Sequence, residues 1–280
     1  FSRSANGVSK LHGQVAQSQF PNFSIDYITN GVYHPFWMGK SFQELFDSKI
    51  PGWRIKPDLL LDLSNITDDE LNTAHSSQKH ILVKYANSHT KRGLSKDILT
   101  VGFARRAAEY KRARLIFSDP DRLVKLAKNK LQIVFAGKAH PKDEVGKNII
   151  LEVVENANNL ADNINIIFLE DYNIRLGHLI TSGVDLWLNT PLRPNEASGT
   201  SGMKAALNGI PNLSILDGWW AEGCKHGKNG WAIGSIDSCD DKSDTESLYQ
   251  ILEDEVIPTY YNNTNGWIEM MRSSIEIAIY

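Results

Sequence analysis

The chain has 280 residues, 41% of them apolar and 22% charged, and a net charge of −3. This composition excludes a wholly disordered or collagen-like chain, and the balanced charge gives no support to non-specific nucleic-acid binding. Two cysteines, Cys224 and Cys239, are too few for a disulfide scaffold, and no run approaches the roughly 20 apolar residues of a membrane span.

The sequence opens FSRSANGVSKLHG, without an initiator Met or an apolar signal-peptide segment, and reads as part of a longer protein. Residues 1–40 form a lead-in. Within it VSKLHGQVAQSQF has helical periodicity, whereas ITNGVYHPFWMG, rich in Gly, Pro and aromatics, predicts a loop turning at Asn30 and Gly31. The cluster Tyr33, His34, Phe36 and Trp37 suits either a binding cleft or a loop pinned to the surface by aromatic packing. Residues 41–97 predict mainly helix, with Thr67 and Glu70 spaced as a capping box.

From residue 98 the pattern changes. Apolar runs at 98–103, 131–137, 165–170, 184–190, 212–217 and 231–234 alternate with amphipathic stretches such as RAAEYKRARLIF and NIILEVVENANNLA. Continuous apolar strands between helices predict a parallel sheet covered on both faces, an α/β, Rossmann-like doubly wound domain. A helix–turn–helix then closes the domain, which spans 98–280. Ligands of such sheets gather beyond the C-terminal strand ends, where polar groups follow five of the predicted strands.

Three groups stand out. In FARRAAEYKRAR, a helix beginning near Ala104 places Arg105 and Arg106 at its N-terminus, where cations are unfavourable unless an anion joins them; Arg112 and Arg114 read as a solvated face. In NEASGTSGMKAALNGIP, the small residues from Ser198 to Gly202 can present backbone N–H groups to a phosphate, and a helix stopped by Gly209 and Pro211 follows. Lys204, flanked by apolar residues, is a candidate for burial and loss of its proton, which suits imine chemistry with pyridoxal phosphate; a snorkelling lysine or a plain phosphate contact is the alternative. The third group is Glu170, Asp171, Glu196 and Asp217, which can hold sugar hydroxyls, with Trp219 and Trp220 as a sugar platform or a packing cluster. Neither GxxxxGK[S/T] nor GxGxxG occurs, and Cys224 and His226 lack metal-site spacing.

Together these stretches resemble the α-glucan phosphorylases, the glycogen, starch and maltodextrin phosphorylases, most nearly their shorter prokaryotic branch. ANGVSKLHG with YITNGVYHPFW, VGFARRAAEYKRAR, IIFLEDYNIRL and NEASGTSGMKAALNG with ILDG carry the likeness, and EASGTSGMK is its most specific part. The resemblance implies the C-terminal, Rossmann-like half of a two-domain GT-B glycosyltransferase fold, with 1–40 and 41–97 as lead-in. It implies pyridoxal 5′-phosphate covalently held at Lys204, with Gly199 and Thr200 around its phosphate, Arg105 on that phosphate and Tyr172 beside the ring. Arg106 matches the group on the substrate phosphate, Lys111 matches a lysine serving the phosphates, and Asn30, Glu196, Ser198 and Gly199 match groups contacting the sugar. Arg105 stands where the family has Lys, and Ala108 where it has His.

The implied reaction transfers the terminal glucosyl unit of an α-1,4-glucan to inorganic phosphate, with retention, giving α-glucose 1-phosphate. In that reaction the cofactor phosphate exchanges a proton with the substrate phosphate. The resemblance also implies a cytoplasmic homodimer in the full-length enzyme, no metal, and an inactive chain when this segment stands alone. A nucleotide-sugar GT-B glycosyltransferase and a non-catalytic glucan-binding remnant are the rival readings; the cofactor lysine argues against the first and the intact cations against the second.

Overall fold

A computed structural model describes residues 2–236 and 240–279; Cys239 lies outside them. The predicted apolar runs form six strands: β3 (Leu99–Ala104), β4 (Leu131–Ala136), β5 (Ile166–Leu169), β6 (Leu186–Asn189), β7 (Asn212–Ile215) and β8 (Gly230–Ile233). All pair in parallel, in the order β5-β4-β3-β6-β7-β8. Counted from β3 this is 3-2-1-4-5-6, the Rossmann order, and the strand order reverses between β3 and β6.

Alternate side chains explain the unbroken apolar runs. Leu131, Ile133 and Phe135 of β4 face one core with Ile149 and Val153 of α6 (Glu144–Asn159) and Leu123 of α5 (Pro120–Ala127). Val134 and Ala136 face a second core with Leu82 of α4 (Asp68–His89) and Ile180 of α7 (Ile174–Gly183). Both faces of the sheet are therefore buried, and even polar strand residues such as Gln132, Asn212 and Ser214 are enclosed.

The lead-in holds α1 (Lys10–Gln19), α2 (His34–Trp37) and α3 (Lys40–Lys49). Two elements there depart from expectation. Ala5–Gly7 (β1) and Ile25–Tyr27 (β2) form a small parallel ladder, and HPFW makes one helical turn where a loop was expected, its Pro35 sitting in the first turn, where a missing N–H costs nothing. The capping box is present: Thr67 Oγ1 accepts from Glu70 N–H at 3.3 Å, and Glu70 Oε2 accepts from Thr67 N–H at 3.0 Å.

After β6 come α8 (Thr200–Ala206), α9 (Trp220–Gly223), α10 (Asp241–Ile251), α11 (Ile257–Asn262) and α12 (Thr264–Ala278). A π-helical turn, Leu252–Val256, joins α10 to α11, and α12 turns back to pack on α8 and α4. At the N-terminal edge of the sheet, opposite the strand ends that carry the motifs, Asp185 is fully enclosed. Its carboxylate meets Lys79 Nζ at 2.5 Å, His75 Nε2 at 2.9 Å and the Thr100 N–H at 2.7 Å. Lys79 also donates to Ile98 O and Tyr260 Oη, so α4, the sheet and α11 share one ionic knot.

No helix among the described residues is long and apolar enough to cross a membrane.

Candidate active site

RAAEYKRARLIF does not form the expected helix. Two 3₁₀ turns, Glu109–Lys111 and Leu115–Phe117, replace it, and Arg112 takes a left-handed backbone with φ 47°. Arg105 and Arg106 therefore lie in the loop after β3 and not at a helix N-terminus. The expected solvated face is also corrected at Arg112. Its guanidinium is buried, donating to Thr190 O and Pro191 O at 2.9 Å and pairing with Asp244 at 2.6 Å and Asp241 at 2.7 Å. Four directed hydrogen bonds thus tie the β3 loop to the β6 loop and α10, outweighing the stretch's helical propensity. Arg114 is half-exposed and pairs with Glu109 and Glu152.

The consequence is convergence at the switch point. Arg105, Arg106 and Lys111 after β3, Tyr172 after β5, and Glu196, Ser198, Gly199 and Thr200 after β6 line one cavity of about 420 Å³, together with Asn30 of the lead-in. Lys204 does not line it but follows Thr200 by four residues, one turn along the same face of α8. Ser201, within the predicted small-residue loop, also lines the cavity, and so does Val8, which carried no polar signal to mark it.

The cavity's electrostatics centre on Glu196. Its Oε2 accepts from Arg105 Nη2 and, at 2.6 Å, from Lys111 Nζ. Burial opposes ionisation of this carboxyl, but Arg105 and Lys111 outweigh it and hold its pKa below the usual glutamate value. Arg106 is exposed and makes no ion pair among the described residues. Three cations thus face one carboxylate. Arg105 Nη1 and the hydroxyls of Ser198 and Ser201 are buried without a partner, and enclosed donors of this kind normally find an acceptor.

The β6–α8 loop is held from behind. Asp217, 2% exposed, accepts from Glu196 N–H and Gly218 N–H, both at 2.9 Å, and Trp219 N–H donates to Ser198 O at 2.8 Å. Gly218 needs its left-handed φ of 55°, and a Cβ there would lie 2.3 Å from Ser198 O. Asp217 is thus a brace for the loop, and Trp219 and Trp220 are buried packing groups and not a sugar platform. Sequence reading saw the acid after a strand but could not see what it bonds.

Burial raises the Asp217 pKa to about 6 against the opposing pull of those two N–H groups, with the negative charge of Glu196 adding to the rise. The native state then holds this proton more tightly than the unfolded chain. The resulting stability is complete below the ordinary aspartate range and falls as pH rises through about 6. Asp217→Asn removes that dependence. The melting temperature of the variant relative to the parent is expected to rise between about pH 4 and about pH 7; a constant difference across thermal melts would refute the assignment.

Lys204 Nζ sits 3.6 Å from the ring centroid of Trp37, and that ring stacks on His178. Burial alone pulls the lysine pKa down. Asn208 fixes this pairing: its Nδ2 donates to Trp37 O and Lys204 O, and its Oδ1 accepts from Gly39 N–H at 2.6 Å. Of the lead-in aromatics, Tyr33 and Phe36 are exposed, and only Trp37 reaches the lysine. Glu170, Asp171, Lys138 and His140 do not line the cavity. Cys224 is a half-buried thiol whose pKa burial pushes up to about 12, and no group of three His, Cys, Asp or Glu among the described residues is placed to hold a metal.

A Rossmann-order parallel sheet with Arg105, Arg106, Lys111 and Glu196 gathered at its switch point is consistent with one half of a GT-B fold. The chain belongs to the carbohydrate phosphorylase family, whose sequence model matches residues 1–225. It is 40% identical to the glycogen phosphorylase of Aquifex aeolicus over 97% of its own length and 44% of that protein's. It is also 40% identical to the maltodextrin phosphorylase of Thermococcus litoralis and 36% identical to the glycogen phosphorylase of Mycobacterium tuberculosis, in each case over 97% of this chain and 36% of the relative. The chain therefore spans less than half the length of these relatives.

The site fits pyridoxal 5′-phosphate. A desolvated lysine that makes no ion pair among the described residues lies one helical turn along α8 from Thr200 and Ser201, which line the cavity that also holds partnerless buried donors and the three cations.

Proposed function

We propose that this chain is the cofactor- and phosphate-binding part of an α-1,4-glucan phosphorylase, which moves a terminal glucosyl unit to inorganic phosphate with retention. The observation that carries the reading is the meeting of Arg105, Arg106 and Lys111 with Glu196 and Ser198 in one cavity, one helical turn from Lys204. Lys204 is the attachment point for pyridoxal phosphate, and Gly199, Thr200, Arg105 and Tyr172 surround it. The chemistry the bound group supplies is a phosphate of suitable acidity beside the substrate anion.

The protein's own work is electrostatic and positional. Two phosphates close together repel strongly, and Arg105, Arg106 and Lys111 offset that repulsion. Arg106 presents a planar fork and Lys111 a compact charge. Asn30, Glu196, Ser198 and Gly199 orient the sugar. Glu196 is ionised and held by two cations, so it binds and does not donate the proton. The partners are α-1,4-glucan, inorganic phosphate and glucose 1-phosphate, and the full-length protein is a cytoplasmic homodimer.

The cavity opens to solvent, and the chain spans less than half of its relatives; by itself it is expected not to turn over. Titration calorimetry tests the reading. Inorganic phosphate and glucose 1-phosphate are expected to compete for the cavity, with no gain from a nucleotide on the sugar. Tighter binding of a nucleotide sugar than of glucose 1-phosphate would transfer the chain to the nucleotide-sugar class. Phosphate-dependent release of glucose 1-phosphate from maltodextrin by this chain at ordinary enzyme rates would sink the expectation of inactivity.

A further inference from the structure

We propose that the cavity beside the ionic knot of Asp185, at the N-terminal edge of the sheet, is a second ligand site, built for a neutral oligosaccharide. It lies at the opposite end of the strands from the cavity of Arg105, Lys111 and Glu196 and shares no residue with it. The proposal goes beyond the phosphorylase reading and does not depend on it.

The charges decide what kind of guest fits. α4, the loop before β3, α11 and α12 surround a space of about 350 Å³, within the range of small-ligand sites. Lys79, Lys96, Asp97 and Asp185 line it and cancel in pairs: Lys79 with Asp185 at 2.5 Å, Lys96 with Asp97 at 3.0 Å. Lys79 is further engaged by Ile98 O and Tyr260 Oη. No cation on the wall is thus left for a phosphate or carboxylate, and no acid for a cation. An uncharged guest upsets neither pair.

One wall is aromatic and held in place. Tyr261 Oη donates to Lys130 O at 2.8 Å and accepts from Leu99 N–H at 3.1 Å, and its ring meets Tyr260 edge-on, with centroids 5.0 Å apart. Tyr260 in turn meets Trp267 edge-on at 4.9 Å. Tyr261 nevertheless stays 39% exposed. A ring already fixed costs little ordering on binding, and its electron-rich face suits the C–H face of a pyranose.

The remaining lining supplies hydrogen bonds. Asn72 and Ser76, one helical turn apart on α4, and Thr264 at the start of α12 are exposed, and their side chains make no hydrogen bond among the described residues. An amide and two hydroxyls both donate and accept, as sugar hydroxyls do. His75, also lining the cavity, is 6% exposed. Its Nε2 lies 2.9 Å from the Asp185 carboxylate, which assigns the ring proton to Nε2 and leaves Nδ1 an acceptor. That Nδ1 is buried without a partner, and a hydroxyl O–H is the kind of donor it lacks.

Amide chemical shifts test the site, with maltotriose as the neutral probe and inorganic phosphate as the charged one. Maltotriose is expected to move the Ser76, Lys96 and Thr264 signals saturably, and equally in Glu196→Ala, which impairs only the strand-end cavity. Phosphate is expected to leave these signals unmoved. Asn72→Trp, at an exposed helix position, should fill the space and abolish the maltotriose shifts. Ser76→Ala combined with Thr264→Ala should weaken maltotriose about 3-fold or more, the loss of two modest hydrogen bonds. An unchanged melting temperature shows that the variants are folded. The proposal is overturned if maltotriose leaves the three signals unmoved in the parent, if its shifts persist in Asn72→Trp, or if phosphate moves them and maltotriose does not.

Discussion

Lys204→Ala is expected to abolish covalent uptake of pyridoxal 5′-phosphate. The parent chain, incubated with the cofactor and reduced with borohydride, should gain one equivalent by mass, mapped to the peptide containing Lys204. The variant should gain at least about 10-fold less, because burial disfavours the ammonium form at this site and an uncharged amine is the nucleophile imine formation requires. No carboxylate pairs with Lys204 among the described residues, whereas Lys111 is engaged by Glu196. Lys111→Ala should therefore keep the adduct. Alanine is the best helix former and α8 should persist, so an unchanged melting temperature accompanies the loss. A full reducible equivalent in Lys204→Ala would remove the chain's claim to the cofactor site.

The second large effect concerns stability. Asp185→Ala should cost about 3–5 kcal/mol, the usual penalty for leaving one partner of a buried ion pair uncompensated. Lys79 would keep its charge in an enclosed position, and the Thr100 N–H would lose its acceptor. Replacing both ions, as Lys79→Met with Asp185→Asn, should cost less than the single change, because no charge is then stranded. Burial opposes ionisation of Asp185, but Lys79 and His75 outweigh it and set its pKa below the ordinary value. Its stabilising contribution is present above the usual carboxylate range and is lost as pH falls through the lower folded value. Urea titrations should therefore show stability rising more steeply in the parent than in the double variant between about pH 3 and about pH 5. A single variant as stable as the parent would mean the knot is unimportant.

The sheet was legible because its strands are buried on both faces, which writes mostly apolar runs into the chain, and because polar residues follow where five of those runs stop. The loop after β3 was not. Its Arg, Ala, Glu and Lys residues are good helix formers, and only contacts with Thr190, Pro191, Asp241 and Asp244, 78–132 positions away, hold Arg112 out of a helix. The three-residue ladder of β1 and β2 is too short to leave a periodic signal. Much of the site was visible through motif resemblance, which names side chains such as Glu196 and Lys204. Of the residues that place them, Asn208 was hidden and Asp217 was seen only as a candidate sugar-binding acid, since both act through backbone groups, and a backbone partner leaves no mark on composition.

Asn208 has a practical consequence for anyone transplanting this site. One amide side chain binds Trp37, Gly39 and Lys204, so the lysine's surroundings are assembled from segments about 170 residues apart. Moving residues 195–211 into another Rossmann scaffold would carry Lys204 without its aromatic cover, and the recipient would need a substitute for residues 37–39. The smallest portable unit is discontinuous, and directed evolution should recombine the two stretches as a pair.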